Sequence, residues 1–181
     1  MTLNYSIDVD LPDQDTAYMN TLVLDHAEDF AQYKIWAEST ALNDTLNTLS
    51  LPSNGKIVET GVWQHHFFNH LKTRFGDRAK GYDIHQYTES ADDQVVYGDF
   101  RTIHSNHNEP VAVLINSMGG WDTNGSSKKA ALDYAYANLV SGGYYIDIAY
   151  ILTFETPDMS AYPNLTLIYQ DFNGFTVYRK E

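Results

Sequence analysis

Residues 57–68 read Ile-Val-Glu-Thr-Gly-Val-Trp-Gln-His-His-Phe-Phe, and the fold turns on how this stretch is parsed. Ile57 and Val58 are β-branched, and with their neighbours they predict a short strand over 56–60. Gly61 supplies a turn at which the backbone can approach a ligand closely. Beyond it, Phe67, Phe68, Leu71 and Phe75 recur at three- and four-residue steps, the apolar stripe of an amphipathic helix over 64–75. The stretch begins like a strand running into a nucleotide-binding turn. It then places His65 and His66 where further glycines would be expected.

Outward from this unit, short apolar runs predict strands over 78–83, 94–97, 111–116 and 143–147, separated by helical or loop segments. Residues 127–140 predict a helix. Ser126 and Ser127 offer caps, Ala131, Leu132, Ala135, Tyr136 and Leu139 lie on one face, and Gly142 with Gly143 provides the stop. Strands joined by crossovers argue for a mostly parallel open sheet with helices on both faces, because a tight turn cannot reach a parallel neighbour. The end of the chain differs. Residues 165–171 and 175–179 are β-rich and meet around Asn173-Gly174, the signature of an antiparallel hairpin. The expectation is a Rossmann-like α/β core over 53–181. It is preceded by an N-terminal addition over 1–52: an acidic arm, then helical runs at Phe30, Tyr33 and Ala37 and at Leu42, Leu46 and Leu49.

Composition narrows the function. The chain has 181 residues, 43% hydrophobic and 19% charged, which is enough for one ordinary core. A net charge of −13 opposes a phosphate backbone, so nucleic acid is a poor partner. The absence of cysteine excludes disulfides, thiolate metal sites and a cysteine nucleophile. No basic n-region opens the chain and no apolar run approaches the ~20 residues of a membrane helix, so a cytoplasmic protein without a membrane partner is expected.

In an open α/β sheet, ligands bind beyond the carboxyl ends of the strands. The residues there are Glu59, Thr60, Gly61, Val62 and Trp63 after the first strand and Asp83 and Ile84 after the second. Asp99 and Phe100 follow the third, Asn116 the fourth and Asp147 the fifth. An acid about 20 residues past a glycine turn suits a ribose, and Asp83 holds that place. Alternatively, Gly61 only turns the chain and Asp83 only caps a helix. Neither G-x-G-x-x-G nor a G-K-S/T ending is present, so a ligand without pyrophosphate, S-adenosylmethionine, fits better than NAD or ATP.

The region 56–181 resembles a class I S-adenosylmethionine-dependent methyltransferase. VETGVW at 58–63 and AALDYAYANLVSGGYYID at 130–147 are similar to segments of the macrocin O-methyltransferase family. The resemblance implies that Glu59 and Gly61 face the methionine part of the cofactor and Asp83 its ribose. It implies that Asp99 and Phe100 flank the adenine, by hydrogen bond and ring contact. The family continues past the tryptophan through a basic residue to glycines, where this chain has Gln64, His65 and His66. It also holds magnesium with acids after the fourth and fifth strands, where this chain has Asn116, Ser117 and a single Asp147 followed by Ile148. No metal is therefore expected. Asn116 and Asp147 are the candidate catalytic residues, with Asp147, His66 or His104 as a base for the acceptor.

Two features carry open alternatives. His66 and His70, spaced i, i+4, are either a partial metal site or surface histidines, and His104 and His107 pose the same choice. Residues 116–125 form a polar loop whose Trp121 is either a substrate-facing ring or a lid on the core. The expected function is methyl transfer from S-adenosylmethionine to a small-molecule hydroxyl. The rivals are a methyltransferase-like binding or structural protein without catalysis, and an enzyme of another adenosine ligand or a nucleotide sugar. The oligomeric state is left open.

Overall fold

The computed structural model describes residues 42–62, 65–86, 88–117, 126–148, 158–170 and 175–181. Helix α1 (Leu42–Thr48) precedes β1 (Lys56–Thr60), α2 (His66–Phe75), β2 (Ala79–Asp83), β3 (Val95–Tyr97) and the short α3 (Phe100–Ile103). Then follow β4 (Val111–Asn116), α4 (Ser126–Asn138), β5 (Leu139–Ile148), β6 (Leu165–Gln170) and β7 (Phe175–Lys180). The seven strands form one sheet in the order β3-β2-β1-β4-β5-β7-β6. The first five are parallel, and β7 pairs antiparallel with both β5 and β6. This is the expected open parallel sheet closed by a hairpin; the Asn173-Gly174 turn itself lies outside the described residues.

Alternation along the central strands builds a core on each face. Ile57, Val113 and Ile146 join Phe67, Phe68 and Leu71 of α2 and Leu42 and Leu46 of α1 on one side. Val58, Leu114 and Tyr145 join Phe100, Ala131, Tyr134 and Ala135 on the other, under α3 and α4. Every residue of β4 is buried, the pattern of a strand covered on both faces, which explains its unbroken apolar sequence. The turn after β1 and helix α2 pack closely over Gly81 of β2 because it lacks a side chain: a Cβ there would come within 2.8 Å of Val62 Cγ1, 2.9 Å of Val95 Cγ2 and 3.3 Å of Phe68 Cε2 of α2.

The structure corrects two local readings. Helix α4 ends at Asn138 and the chain passes directly into β5, so Gly142 and Gly143 lie inside a strand instead of stopping a helix. The β4–β5 register shifts between Val111 and Val113 to admit them. Gly142 takes φ 75°, and a Cβ on Gly143 would meet the carbonyl oxygens of Ala112 and Val140 at 2.9 Å. Helix α2 begins at His66 and not at residue 64, because His65 is left-handed at φ 62°. Among the described residues no helix is long and apolar enough to cross a membrane. The acidic arm and the run from Phe30 to Ala37 lie outside them.

Candidate functional site at the carboxyl ends of the strands

Strand β1 has β2 on one side and β4 on the other, so the order of strands reverses at β1, and in open α/β sheets ligands bind beyond the carboxyl ends at such a switch point. Burying a polar group costs free energy unless it is compensated, so its location is informative. Among the described residues the buried polar or charged set is Glu59, Thr60, His65, Asp83, Asn116, Ser117 and Asp147. All seven stand at the carboxyl ends of β1, β2, β4 and β5 or in the turn that follows β1.

On the β4–β5 side they form one network. In-register pairing sets Thr60 beside Asn116 and Asn116 beside Asp147. Thr60 Oγ1 donates to Asn116 Oδ1 at 3.0 Å, and Asn116 Nδ2 donates to Asp147 Oδ1 at 2.9 Å. Tyr145 donates its hydroxyl to the same oxygen at 3.2 Å; burial and then the Asp147 charge push that phenol well above its ordinary pKa, so it remains a donor. Lys128 of α4 places its ammonium 2.6 Å from Asp147 Oδ2. A second link crosses β1 to β4: Ser117 Oγ donates to Glu59 Oε1 at 3.2 Å, and Ser117 N to Thr60 O at 2.9 Å. Sequence reasoning reached Asn116 and Asp147 but missed Lys128, whose pairing with a distant strand leaves no local signal.

On the β1–β2 side, Gly61 takes φ 80°, a conformation that favours glycine, and its N–H donates to Tyr82 O at 2.7 Å. Asp83, the next residue, is 7% exposed and accepts from His85 N at 3.2 Å, with Ile84 half-buried beside it. Val62 is fully buried and belongs to the core over Gly81. His65 is 4% exposed, its ring edge-on to Phe68 and its Nδ1 3.7 Å from Asp92 Oδ2. Burial pulls this imidazole below the ordinary histidine pKa; Asp92 and Asp83 oppose the shift and Lys72 adds to it. Trp63 lies outside the described residues.

Asp99 caps α3, accepting from Arg101 N at 3.0 Å, and its two oxygens also take the Arg101 guanidinium at 2.8 and 2.7 Å. Hydrogen bonding from Arg101 holds this carboxyl below the usual range. The Phe100 ring is 3% exposed and packs against Tyr82 at 4.9 Å and Tyr134 at 5.4 Å. Its ring is therefore engaged in the core beneath the sheet. His104 bonds Phe100 O through Nδ1 at 3.0 Å, and His107 stands edge-on to Tyr82 at 5.5 Å, so both belong to that aromatic cluster. His70 is exposed on α2; the His66 side chain and Trp121 lie outside the described residues. Among the described residues no three histidine, aspartate or glutamate side chains gather as a metal site. The residues ending β4 and β5 do not fit a divalent cation, since Asn116 and Ser117 are neutral and Asp147 already holds an ammonium. An open depression of about 370 Å³ lies at the opposite ends of the strands, around Ser53, Lys56, Arg78 and Glu109. Arg78 spans it to bond the Pro52 and Gly55 carbonyls, which makes it a brace for the turn before β1.

No protein-family model matches the chain, and no curated protein sequence does. Solved structures do. TehB from Haemophilus influenzae superposes with a TM-score of 0.53 at 13% identity, over 71% of this chain and 58% of that one. A TehB-like SAM-dependent methyltransferase from Corynebacterium glutamicum gives 0.55 at 15%, over 86% and 98%. The chain has the class I methyltransferase fold. SAM-bound CalS10, an amino pentose methyltransferase from Micromonospora echinaspora involved in calicheamicin biosynthesis, shares this methyltransferase fold with a TM-score of 0.54 at 14%, over 82% and 64%. The chain thus spans little more than half the length of TehB but almost all of its Corynebacterium relative.

Proposed function

We propose that this protein is an S-adenosylmethionine-dependent methyltransferase acting on a small-molecule hydroxyl, of the kind found in the macrocin O-methyltransferase family. The observation that carries the reading is the convergence of the seven buried polar residues among the described residues on the carboxyl ends of the strands. A fold that needed only stability would have no reason to collect them there. The shared fold with SAM-bound CalS10 supports the choice of cofactor. The family itself rests on VETGVW at 58–63 and the glycine-containing segment 130–147.

In this reading Glu59 and Gly61 hold the methionine end, Asp83 takes a ribose hydroxyl, and Asp99 and Phe100 flank the adenine. Thr60, Val62, Trp63 and Ile84 shape the turns around it, and Asn116 closes the crevice toward the acceptor. When bound, the cofactor supplies a methyl group already activated on a sulfonium, so the chain's task is mainly alignment and exclusion of water. In the same reading Asp147 receives a hydrogen bond or a proton from an acceptor hydroxyl; its contacts with Asn116, Tyr145 and Lys128 fix its orientation. The net charge of −13 favours a small acceptor over a nucleic acid.

One observation favours the second reading, a methyltransferase-like binding protein without turnover: Asp147 is 2% exposed and already capped by Lys128. Calorimetric titration with S-adenosylmethionine and S-adenosylhomocysteine, with Asp83→Ala as control, tests the binding both readings share. Saturable micromolar binding lost in the variant supports it; no binding at millimolar ligand removes it. Methyl transfer to a panel of sugar and phenol hydroxyls then separates enzyme from binder.

A further inference from the structure

The sheet ends on two unlike edges. Strand β3 closes one side with three residues, and so short an edge offers little to pair with. Strand β6 closes the other with six, Leu-Thr-Leu-Ile-Tyr-Gln, and pairs only with β7 among the described residues. It contains neither charge nor proline, two of the devices that keep an open edge from pairing. A register shift makes Ile168 an extra residue between Leu167 and Tyr169, and residues 165–167 run ahead of it in regular pairing. Leu167, Ile168 and Tyr169 are also the large apolar residues that stand exposed among the described residues, at 46–48% each. A single exposed apolar side chain is ordinary; three in a row on a sheet edge mark a surface that pairs.

The chain itself carries a matching strand. Residues 3–11 read Leu-Asn-Tyr-Ser-Ile-Asp-Val-Asp-Leu and lie outside the described residues. Apolar and polar residues alternate throughout, the period of a strand with one buried face. Such a strand needs a neighbour for its backbone groups and a core for its apolar side. The edge at β6 offers both. Leu165 is buried in the core under α4, and by alternation Leu167, opposite Tyr178, points to the same face. Thr166 and the exposed Arg179, opposite each other, point to the other. With Leu3, Tyr5, Ile7, Val9 and Leu11 on the Leu167 face, Asp8 and Asp10 fall on the Arg179 face, so hydrophobicity and charge agree. A second copy fits this edge less well, because each chain carries a net charge of −13 and β6 has no charge to offset it. Distance sets no bar: even wholly helical, residues 12–41 span about 45 Å, and the seven strands are about 30 Å across.

We propose that residues 3–11 add to the outer side of β6 as a further strand of the same sheet, their apolar face continuing the core beside Leu165 and Leu167. The pairing involves no cofactor and none of the buried polar residues at the carboxyl ends of the strands.

Hydrogen–deuterium exchange of the full chain, read by mass spectrometry, tests this against two variants. One lacks residues 1–12. The other is the double variant Ile7→Pro, Asp8→Pro, which keeps the length; successive N–H groups point to opposite sides of a strand, so one of the two removed must face β6. Exchange over 165–170 should rise about tenfold in both, while that of β4 stays as in the wild type and shows the fold intact. Leu167→Lys should speed exchange of residues 3–11 by a similar factor, since a charge then meets their apolar side. If the shortened chain does not fold, the double proline variant and Leu167→Lys give the reading. Unchanged exchange over 165–170 in the folded variants overturns the proposal. Protection of 165–170 that fades when the wild type is diluted also overturns it, and assigns the edge to a second copy.

Discussion

Lys128 fixes Asp147 from a helix that nothing in the sequence ties to β5. Removing it by Lys128→Met leaves a carboxylate that is 2% exposed with two neutral donors, Asn116 and Tyr145. The cost should be about 2 kcal/mol, below that of breaking a fully buried pair, and urea unfolding would measure it. A second residue-level outcome concerns pH. The folded pKa of His65 lies below its ordinary value, so between the two the unfolded chain binds the extra proton. Stability from this group is therefore fully present above about pH 6.5 and is lost as pH falls below it. The urea midpoint of the wild type should drop more than that of His65→Asn between pH 7.5 and 5.5, as conditions chosen on that basis; equal slopes would contradict the assignment. Asp99 is depressed by Arg101, and its stabilisation should disappear only in the carboxylate range. Glu59, Asp83, Asn116 and Asp147 were legible in the sequence because strand limits alone place them. Arg101 and Lys128 were not, because an ion pair depends on geometry that periodicity does not encode.

At the scale of elements, the meeting of α2 with the sheet depends on the missing side chain at Gly81. Gly81→Ala would drive a methyl group into Val62 and Val95, both stiff at χ1, and should destabilise by about 1–3 kcal/mol in chemical unfolding. The cap of α3 offers a milder case: Asp99→Ala removes the acceptor for Arg101 N and should cost about 1 kcal/mol. Strands β1 to β4 were readable to within a residue because burial on both faces demands continuous apolar runs, as in Val111–Ile115, whereas β5 begins at Leu139, four residues before the expected 143. The paired glycines misled because Gly142 and Gly143 are equally suited to stopping a helix and to admitting a bulge; only the β4–β5 register decides between these. Helix α3 has four residues, too few to show a period, and was invisible for that reason.

For the whole molecule, the order of strands concentrates polar burial at one end of the sheet and leaves two apolar cores beneath it. Strain at His65 and the network around Asp147 bracket that end from the β2 and β5 sides. The opposite end carries the open depression around Lys56 and Arg78, which has no such convergence. In the proposed function the adenosyl cofactor lies across the carboxyl end of β1. A crystal structure of the protein grown with S-adenosylhomocysteine tests it most directly. Ligand density is expected between Glu59 and Asp83, with the ribose against Asp83. Ligand density at the Lys56–Arg78 depression, or an empty crevice at saturating ligand, would contradict it.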